Sequence, residues 1–125
     1  MLQRIVLICL AGAAGTLCRY TMAGIAQKIG GASFPWGTLT VNLTGCFAAG
    51  LLWGLFEHRW PISGEMRVVI MIGFMGAFTT FSTYMLESGE LVRSAQYAAA
   101  AGNLFLQNGL GFLGLMAGIA LGRLT

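Results

Sequence analysis

Charged side chains are scarce in this sequence, and their scarcity excludes most classes of soluble protein. Only 9% of the 125 residues are Asp, Glu, Lys or Arg, whereas 57% are hydrophobic, and the mean hydropathy is +0.78. About a quarter of the residues in a soluble domain are charged, so this chain could not stay in solution. It contains no low-complexity tract and no long linker, and it has no room for a separate soluble domain. Any chemistry would therefore take place inside a membrane, and an enzyme is not expected.

Groups suited to redox or metal chemistry are few and scattered. The three cysteines, Cys9, Cys18 and Cys46, are isolated within apolar segments and form no Cys-x-x-Cys motif, so we interpret them as small packing residues. The single histidine, His58, lies in a polar stretch and is interpreted as a solvated loop residue. These side chains do not predict a disulfide or a metal site.

The hydrophobic residues divide into four segments, each long enough to cross a bilayer. A transmembrane helix needs about 20 consecutive apolar residues, and the segments run over about 3–27, 36–56, 66–92 and 97–121. The sequence therefore predicts an all-α membrane protein with four transmembrane helices in a single domain, 1–125. The first segment is interpreted as a helix and not as a cleaved signal, because its apolar pattern continues past Arg19. Gly30 and Gly31 are expected to end this helix, and Ser63 is expected to cap the third.

The third segment contains a stretch that poorly supports a continuous helix. Between Gly73 and Thr83 it carries two glycines and four hydroxyl residues, which are weak helix formers or compete with the backbone for hydrogen bonds. The sequence therefore predicts that the third helix is broken in the middle of the membrane. Such a break is tolerated only where it is buried in protein or lines a cavity.

The positive charges give almost no preferred orientation. With four spans, four arginines face one side and three cations face the other: Arg4, Arg59, Arg67 and Arg123 against Arg19, Lys28 and Arg93. One interpretation is a weakly biased single orientation. The other, which we favour, is insertion in both orientations and assembly as an antiparallel (inverted) dimer.

Two polar side chains within the apolar segments have alternative interpretations. Asn42 shares a helical face with Thr38, Gly45 and Ala49, and its amide either joins helices or donates hydrogen bonds to an anion in a wet pathway. Arg19 follows a stripe of small residues, and it either extends to the interface or raises the local anion concentration at a vestibule.

The third and fourth segments carry further polar and aromatic side chains. Phe78, Phe81 and Tyr84 repeat every three residues, and their ring edges could face an anion or simply pack. In the fourth segment a glycine repeat, Gly114-x3-Gly118-x3-Gly122, predicts close packing against another helix. At least some of the nearby Asn103, Gln107 and Asn108 are expected to face protein or water.

Three motifs stand in order on the first three predicted spans. They are Gly12-x2-Gly15-x3-Arg19-Tyr20, Gly37-Thr38-Leu39-x-Val41-Asn42-x2-Gly45 and Gly73-Phe74-x-Gly76-x2-Thr79-Thr80-Phe81-Ser82-Thr83, with Glu87 following. On these motifs the chain resembles the small dual-topology fluoride channels of microbes, the Fluc or CrcB family, over essentially its whole length.

The resemblance implies a channel that exports fluoride passively across the inner (plasma) membrane and so confers resistance to fluoride toxicity. It implies an inverted homodimer with two fluoride pathways, each lined by an amide, hydroxyls and aromatic ring edges. The implied pathway residues are Asn42 (pore-lining amide), Phe81 and Tyr84 (paired aromatic gates), Ser82 and Thr83 (hydroxyl neighbours) and Arg19 (the cation near the mouth). A structural sodium ion at the dimer centre would be held by the backbone carbonyls of Gly76 and Thr79 from both subunits.

Neutral donors suit this function, because a fluoride pore must replace the ion's water and still release the ion. One departure from the family pattern is Tyr84, where phenylalanine is usual. Its phenol either adds a donor to the pathway or narrows it. Which of Asn103, Gln107 and Asn108 continues the polar track stays open, as does whether a paired homologue completes the dimer.

Two rival functions are considered. A small multidrug exporter also has four helices, but it depends on a buried carboxylate in its first helix, and the first segment here has no Asp or Glu. A non-transporting assembly subunit would use the glycine faces and Asn42 for helix packing alone.

Overall fold

The computed structural model describes residues 1–124, which form four long helices and no strand; Thr125 lies outside this range. The helices are α1 (Leu2–Gly30), α2 (Trp36–His58), α3 (Gly64–Arg93) and α4 (Tyr97–Leu124). Each is long and apolar enough to cross a membrane. The prediction of an all-helical protein with four membrane-spanning helices is confirmed, and most helices run a few residues past the predicted bounds.

Two helix ends form as their local sequence predicts. α1 stops where Gly31 adopts a φ of 85°, a conformation that glycine reaches without steric cost. The N–H of Gly31 donates to the carbonyl of Gln27 at 3.0 Å. α3 begins after Ser63, whose hydroxyl oxygen accepts a hydrogen bond from the N–H of Met66 at 3.2 Å. These two contacts define the connections on either side of α2.

α2 and α4 form the closest helix pair, and their glycines let the backbones touch. A methyl group on Gly50 would lie 2.1 Å from the carbonyl oxygen of Leu115, and one on Gly118 would lie 2.2 Å from that of Phe47. Distances this short leave no space for any side chain. The glycine repeat of α4 therefore packs directly against the α2 backbone, as small residues commonly do between membrane helices.

α3 is not a uniform helix. It contains a π-helical segment, and it is interrupted where Thr79 (φ −89°, ψ 161°) and Thr80 (φ −150°, ψ 110°) adopt extended backbone. Its parts are the α-helical Gly64–Val68, the π-helical Val69–Met75, the α-helical Gly76–Phe78 and the α-helical Phe81–Arg93. A second π-helical turn, Leu106–Leu110, lies within α4.

A small core fixes the interruption of α3 beside α2. Val41 of α2 packs with Met75 and Phe78 of α3, and all three are buried. On the other side α1 approaches so closely that a methyl group on Gly15 would lie 2.3 Å from the carbonyl oxygen of Phe74. As a consequence Thr80, the second extended residue of α3, lies beside the polar side chain of the residue that follows Val41, which is Asn42.

Candidate functional site

Two cavities meet at the interruption of α3, and Thr80 lines both. The first, called here the Asn42 cavity, has a volume of about 400 Å³. Its walls include Asn42, Gly76, Thr79, Phe81 and Tyr84. The second, called the Arg19 cavity, has a volume of about 710 Å³, and its walls include Arg19, Thr38, Thr83 and Glu87.

The structure places seven of the eight residues of the predicted site in the walls of these two cavities. Five of them line the Asn42 cavity and two, Arg19 and Thr83, line the Arg19 cavity. Ser82 lines neither, and its hydroxyl oxygen lies 3.5 Å from that of Thr80. The predicted residues are thus gathered around one interruption, on its two sides.

Asn42 holds the interruption through both atoms of its amide. Its Oδ1 accepts from the N–H of Thr80 at 2.9 Å, and its Nδ2 donates to the Thr80 carbonyl at 3.0 Å. Nδ2 also donates to Oε1 of Gln107 at 3.0 Å. The Thr80 backbone has one donor and one acceptor, so these contacts determine the amide orientation. Asn42 therefore joins α2 to α3 and α4, and it also lines a cavity.

A row of buried polar side chains continues from Asn42 into α4 and back to α3. Nε2 of Gln107 donates to Oδ1 of Asn103 at 3.5 Å, and Nδ2 of Asn103 donates to Oγ of Ser88 at 2.9 Å. Ser88 in turn donates to the carbonyl of Tyr84 at 2.8 Å. Asn103 is completely buried and Gln107 is 8% exposed. Asn103 and Gln107, four residues apart on one helix face, therefore face protein, which the sequence left open.

The aromatic run is divided between the core and the site. Phe81 and Tyr84 meet edge to face with ring centroids 5.5 Å apart, a favourable arrangement of ring quadrupoles. Phe81 is 71% exposed within the chain and Tyr84 is 4% exposed. Asn108 donates from Nδ2 to the Tyr84 hydroxyl at 2.8 Å. Phe78, the third member of the run, is instead buried in the core with Val41.

The Arg19 cavity contains one cation and one carboxylate. Oε1 of Glu87 accepts from the Thr38 hydroxyl at 2.7 Å, while Oε2 is buried without a hydrogen-bond partner in the described residues. Within residues 1–124 the Arg19 guanidinium has no ion pair or hydrogen bond. The Thr38–Glu87 contact joins residues far apart in the chain, and no local sequence signal reveals it.

The carbonyls of Gly76 and Thr79 differ from ordinary helix carbonyls. In a continuous α-helix they would accept from the N–H groups of Thr80 and Thr83. Those N–H groups instead donate to Oδ1 of Asn42 at 2.9 Å and to Oγ1 of Thr80 at 3.3 Å. Both carbonyls thereby lose the partner a helix would give them, and oxygen donors of this kind suit a hard cation. The described part of the chain has no group of three His, Cys, Asp or Glu residues that could hold a metal ion.

Comparison with known proteins assigns the chain to a family. Residues 6–119 match the model of the family described as "CrcB-like protein, Camphor Resistance (CrcB)". The chain belongs to the CrcB family. Together with its four membrane-capable helices, membership makes it a multi-pass membrane protein of a non-enzymatic class.

Relatives within the CrcB family align with the chain from end to end. The "Fluoride-specific ion channel FluC" of Desulforapulum autotrophicum is 60% identical over 124 residues, 99% of each chain. That of Solidesulfovibrio magneticus is 51% identical over 124 residues, again 99% of each chain. That of Maridesulfovibrio salexigens is 53% identical over 117 residues, 94% of this chain and 93% of the relative.

Proposed function

We propose that this protein is a fluoride-selective ion channel that exports fluoride passively across the plasma (inner) membrane. The observation that carries the proposal is the 60% identity, over 99% of both chains, to a protein named fluoride-specific ion channel. The site supports it, because amide, hydroxyl and aromatic groups line the Asn42 cavity at the interruption of α3. Such neutral groups can replace the water of a small anion and still release it.

The Asn42 cavity is the proposed narrow part of the pathway. Asn42 lines it as the amide, and Phe81 and Tyr84 form the pair of aromatic gates through their ring edges. Both N–H groups of Asn42 are engaged, so an anion beside it would replace one of the two acceptors. The Gln107 Oε1 is the proposed leaving acceptor, because a side-chain amide can rotate away whereas the other acceptor is a backbone carbonyl, that of Thr80.

The Arg19 cavity is the proposed wide mouth of the pathway. The guanidinium of Arg19, which has no ion pair within residues 1–124, would concentrate anions there. Thr83 lines this mouth, the Ser82 hydroxyl lies 3.5 Å from that of Thr80, and Thr80 lines both cavities. An anion passing from one cavity to the other would meet hydroxyl donors on the way.

The functional unit is proposed to be an antiparallel homodimer with two pathways. The nearly balanced positive charges support insertion in both orientations. One chain also leaves its proposed gate uncovered, since Phe81 is 71% exposed, and a second copy would close the pathway on that side. In this arrangement the interruption of α3 lies near the middle of the membrane, where protein on both sides would shield its backbone.

A structural sodium ion is proposed at the centre of the dimer. The Gly76 and Thr79 carbonyls would hold it, two from each subunit. They fit this role because the N–H groups that would bond to them in a helix are directed elsewhere. The ion would satisfy these carbonyls and add positive charge near the anion pathways.

The deciding experiment is fluoride release from liposomes that contain the purified protein, recorded with a fluoride-selective electrode. Liposomes loaded with chloride serve as the control. Rapid release of fluoride without chloride is the expected result. No release of either ion from folded, dimeric protein would contradict the channel and favour a non-transporting assembly subunit.

Orientation is tested separately in cells. A tag at the C-terminus should be reachable by an impermeant label from both sides of the membrane if the chain inserts both ways. Labelling from one side alone would exclude the antiparallel homodimer while leaving fluoride transport to be judged by the liposome experiment.

A further inference from the structure

The Asn108 amide has an orientation that its neighbours determine. Its Nδ2 lies 2.7 Å from the carbonyl oxygen of Leu104 and 2.8 Å from the hydroxyl oxygen of Tyr84. A backbone carbonyl only accepts hydrogen bonds, so the amide atom that faces it must be the nitrogen and not the oxygen. The same nitrogen faces the phenol. Asn108 therefore donates to Tyr84, and the Tyr84 oxygen acts as the acceptor.

This contact determines the position of the phenolic hydrogen. Because one in-plane lone pair of the Tyr84 oxygen receives the Asn108 hydrogen, the O–H bond lies on the other side of the oxygen, close to the ring plane. The phenol donates to no acceptor within the described residues. Tyr84 is only 4% exposed, yet it lines the Asn42 cavity together with Asn42 and Phe81. A buried donor without an acceptor is costly unless something in the cavity accepts from it.

We propose that the Tyr84 hydroxyl is an additional hydrogen-bond donor to the anion in the Asn42 cavity, and that Asn108 is the positioning residue that keeps it a donor. This inference rests on the proposed fluoride channel function and deepens it. Between the two roles open for the phenol, adding a donor or narrowing the path, the geometry points to the donor. A neutral O–H favours fluoride over chloride, because fluoride is the smaller ion and the stronger hydrogen-bond acceptor.

The test replaces only the hydroxyl and follows the concentration dependence of fluoride flux in liposomes. Tyr84→Phe should raise the half-saturating fluoride concentration about tenfold, the low end for a hydrogen bond to a charged partner. The matched control Tyr97→Phe removes a phenol that is 66% exposed and should leave the concentration dependence unchanged. Asn108→Leu keeps the phenol but frees it to rotate, and should give a smaller rise in the same direction.

A spectroscopic readout separates donation from mere packing. Infrared difference spectra with ring-labelled tyrosine should show a fluoride-dependent shift of a tyrosine C–O band in the parent protein and in Tyr97→Phe. The shift should be lost in Tyr84→Phe, while the unfolding midpoint of that variant in detergent stays close to that of the parent.

Three results would overturn the proposal. One is a half-saturating concentration in Tyr84→Phe that equals the parent value. Another is a higher maximal flux with unchanged half-saturation, which would show that the phenol only narrows the path. The third is a fluoride-dependent band that persists in Tyr84→Phe. In each of them the parent protein conducts fluoride, so they differ from failure of the proposed function, in which the parent releases no fluoride at all.

Discussion

Replacing Asn42 by alanine should release the backbone of α3 at its interruption. The change removes three hydrogen bonds of 2.9 to 3.0 Å, two of them to the backbone of Thr80 and one to Gln107. A typical hydrogen bond contributes about 1 kcal/mol net, so the variant should lose about 3 kcal/mol of unfolding free energy. Thr80 is partly accessible, which places the loss of each of its two bonds near the typical value and below the cost of a fully buried orphan group.

The matched control is Gln107→Leu. It removes the bond between Asn42 and Gln107, together with the long 3.5 Å contact of Gln107 with Asn103, but leaves both contacts of Asn42 with the Thr80 backbone. Its cost should be between about 1 and 2 kcal/mol, the value of one normal and one long hydrogen bond. The two variants therefore separate the contribution of the backbone contacts from that of the side-chain contact.

Two measurements check the reasoning. Equilibrium unfolding in mixed detergent micelles gives the free energies of both variants, and hydrogen–deuterium exchange reports on the Thr80 amide. That amide should exchange at least about tenfold faster in Asn42→Ala than in the parent, because its acceptor is gone. If Asn42→Ala costs no more than Gln107→Leu and Thr80 exchanges at the parent rate, Asn42 does not hold the interruption.

Three further predictions follow from other contacts. Gly118→Ala places a methyl group 2.2 Å from a backbone oxygen, whereas the methyl group of Gly114→Ala meets no atom closer than 3.8 Å. Unfolding in detergent should show that the first variant loses about 2 kcal/mol of unfolding free energy and the second loses none. Equal unfolding free energies would contradict the close packing of α2 and α4. Gln27→Ala removes two hydrogen bonds to the connection between α1 and α2 and a third from the first turn of α2, so proteolysis in the connection should accelerate, while the exposed Gln3→Ala should behave as the parent. Phe81→Ile should abolish fluoride flux and leave the oligomeric state intact, and parental flux in that variant would refute the aromatic gate.

The four helices were predictable because the apolar segments are long and their ends carry local signals. The positive φ of Gly31 and the hydroxyl cap of Ser63 each depend on neighbours in the sequence. The α2–α4 contact was also predictable in part, because the glycine repeat of α4, which includes Gly118, predicts a helix face without side chains. These features follow from local composition and spacing, which a single sequence displays.

The partners within the site were not predictable in the same way. The bonds of Thr80 to Asn42 and of Glu87 to Thr38 join residues that only packing brings together. The π-helical Val69–Met75 also had no sequence signal, because apolar residues suit an α-turn equally well. The division of the aromatic run, with Phe78 in the core, follows from the extended residues that separate it from the next helix.

The wide turns of Val69–Met75 and Leu106–Leu110 have a consequence for how the chain tolerates changes in length. In an α-helix, deleting one residue rotates everything downstream by about 100° and would turn a pore wall away from its pore. A π-helical stretch holds surplus residues, so a deletion there can be absorbed by tightening to an α-turn. Single-residue deletions among homologues should accordingly be concentrated in these two stretches, where the loss of one residue leaves the orientation of the following helix unchanged.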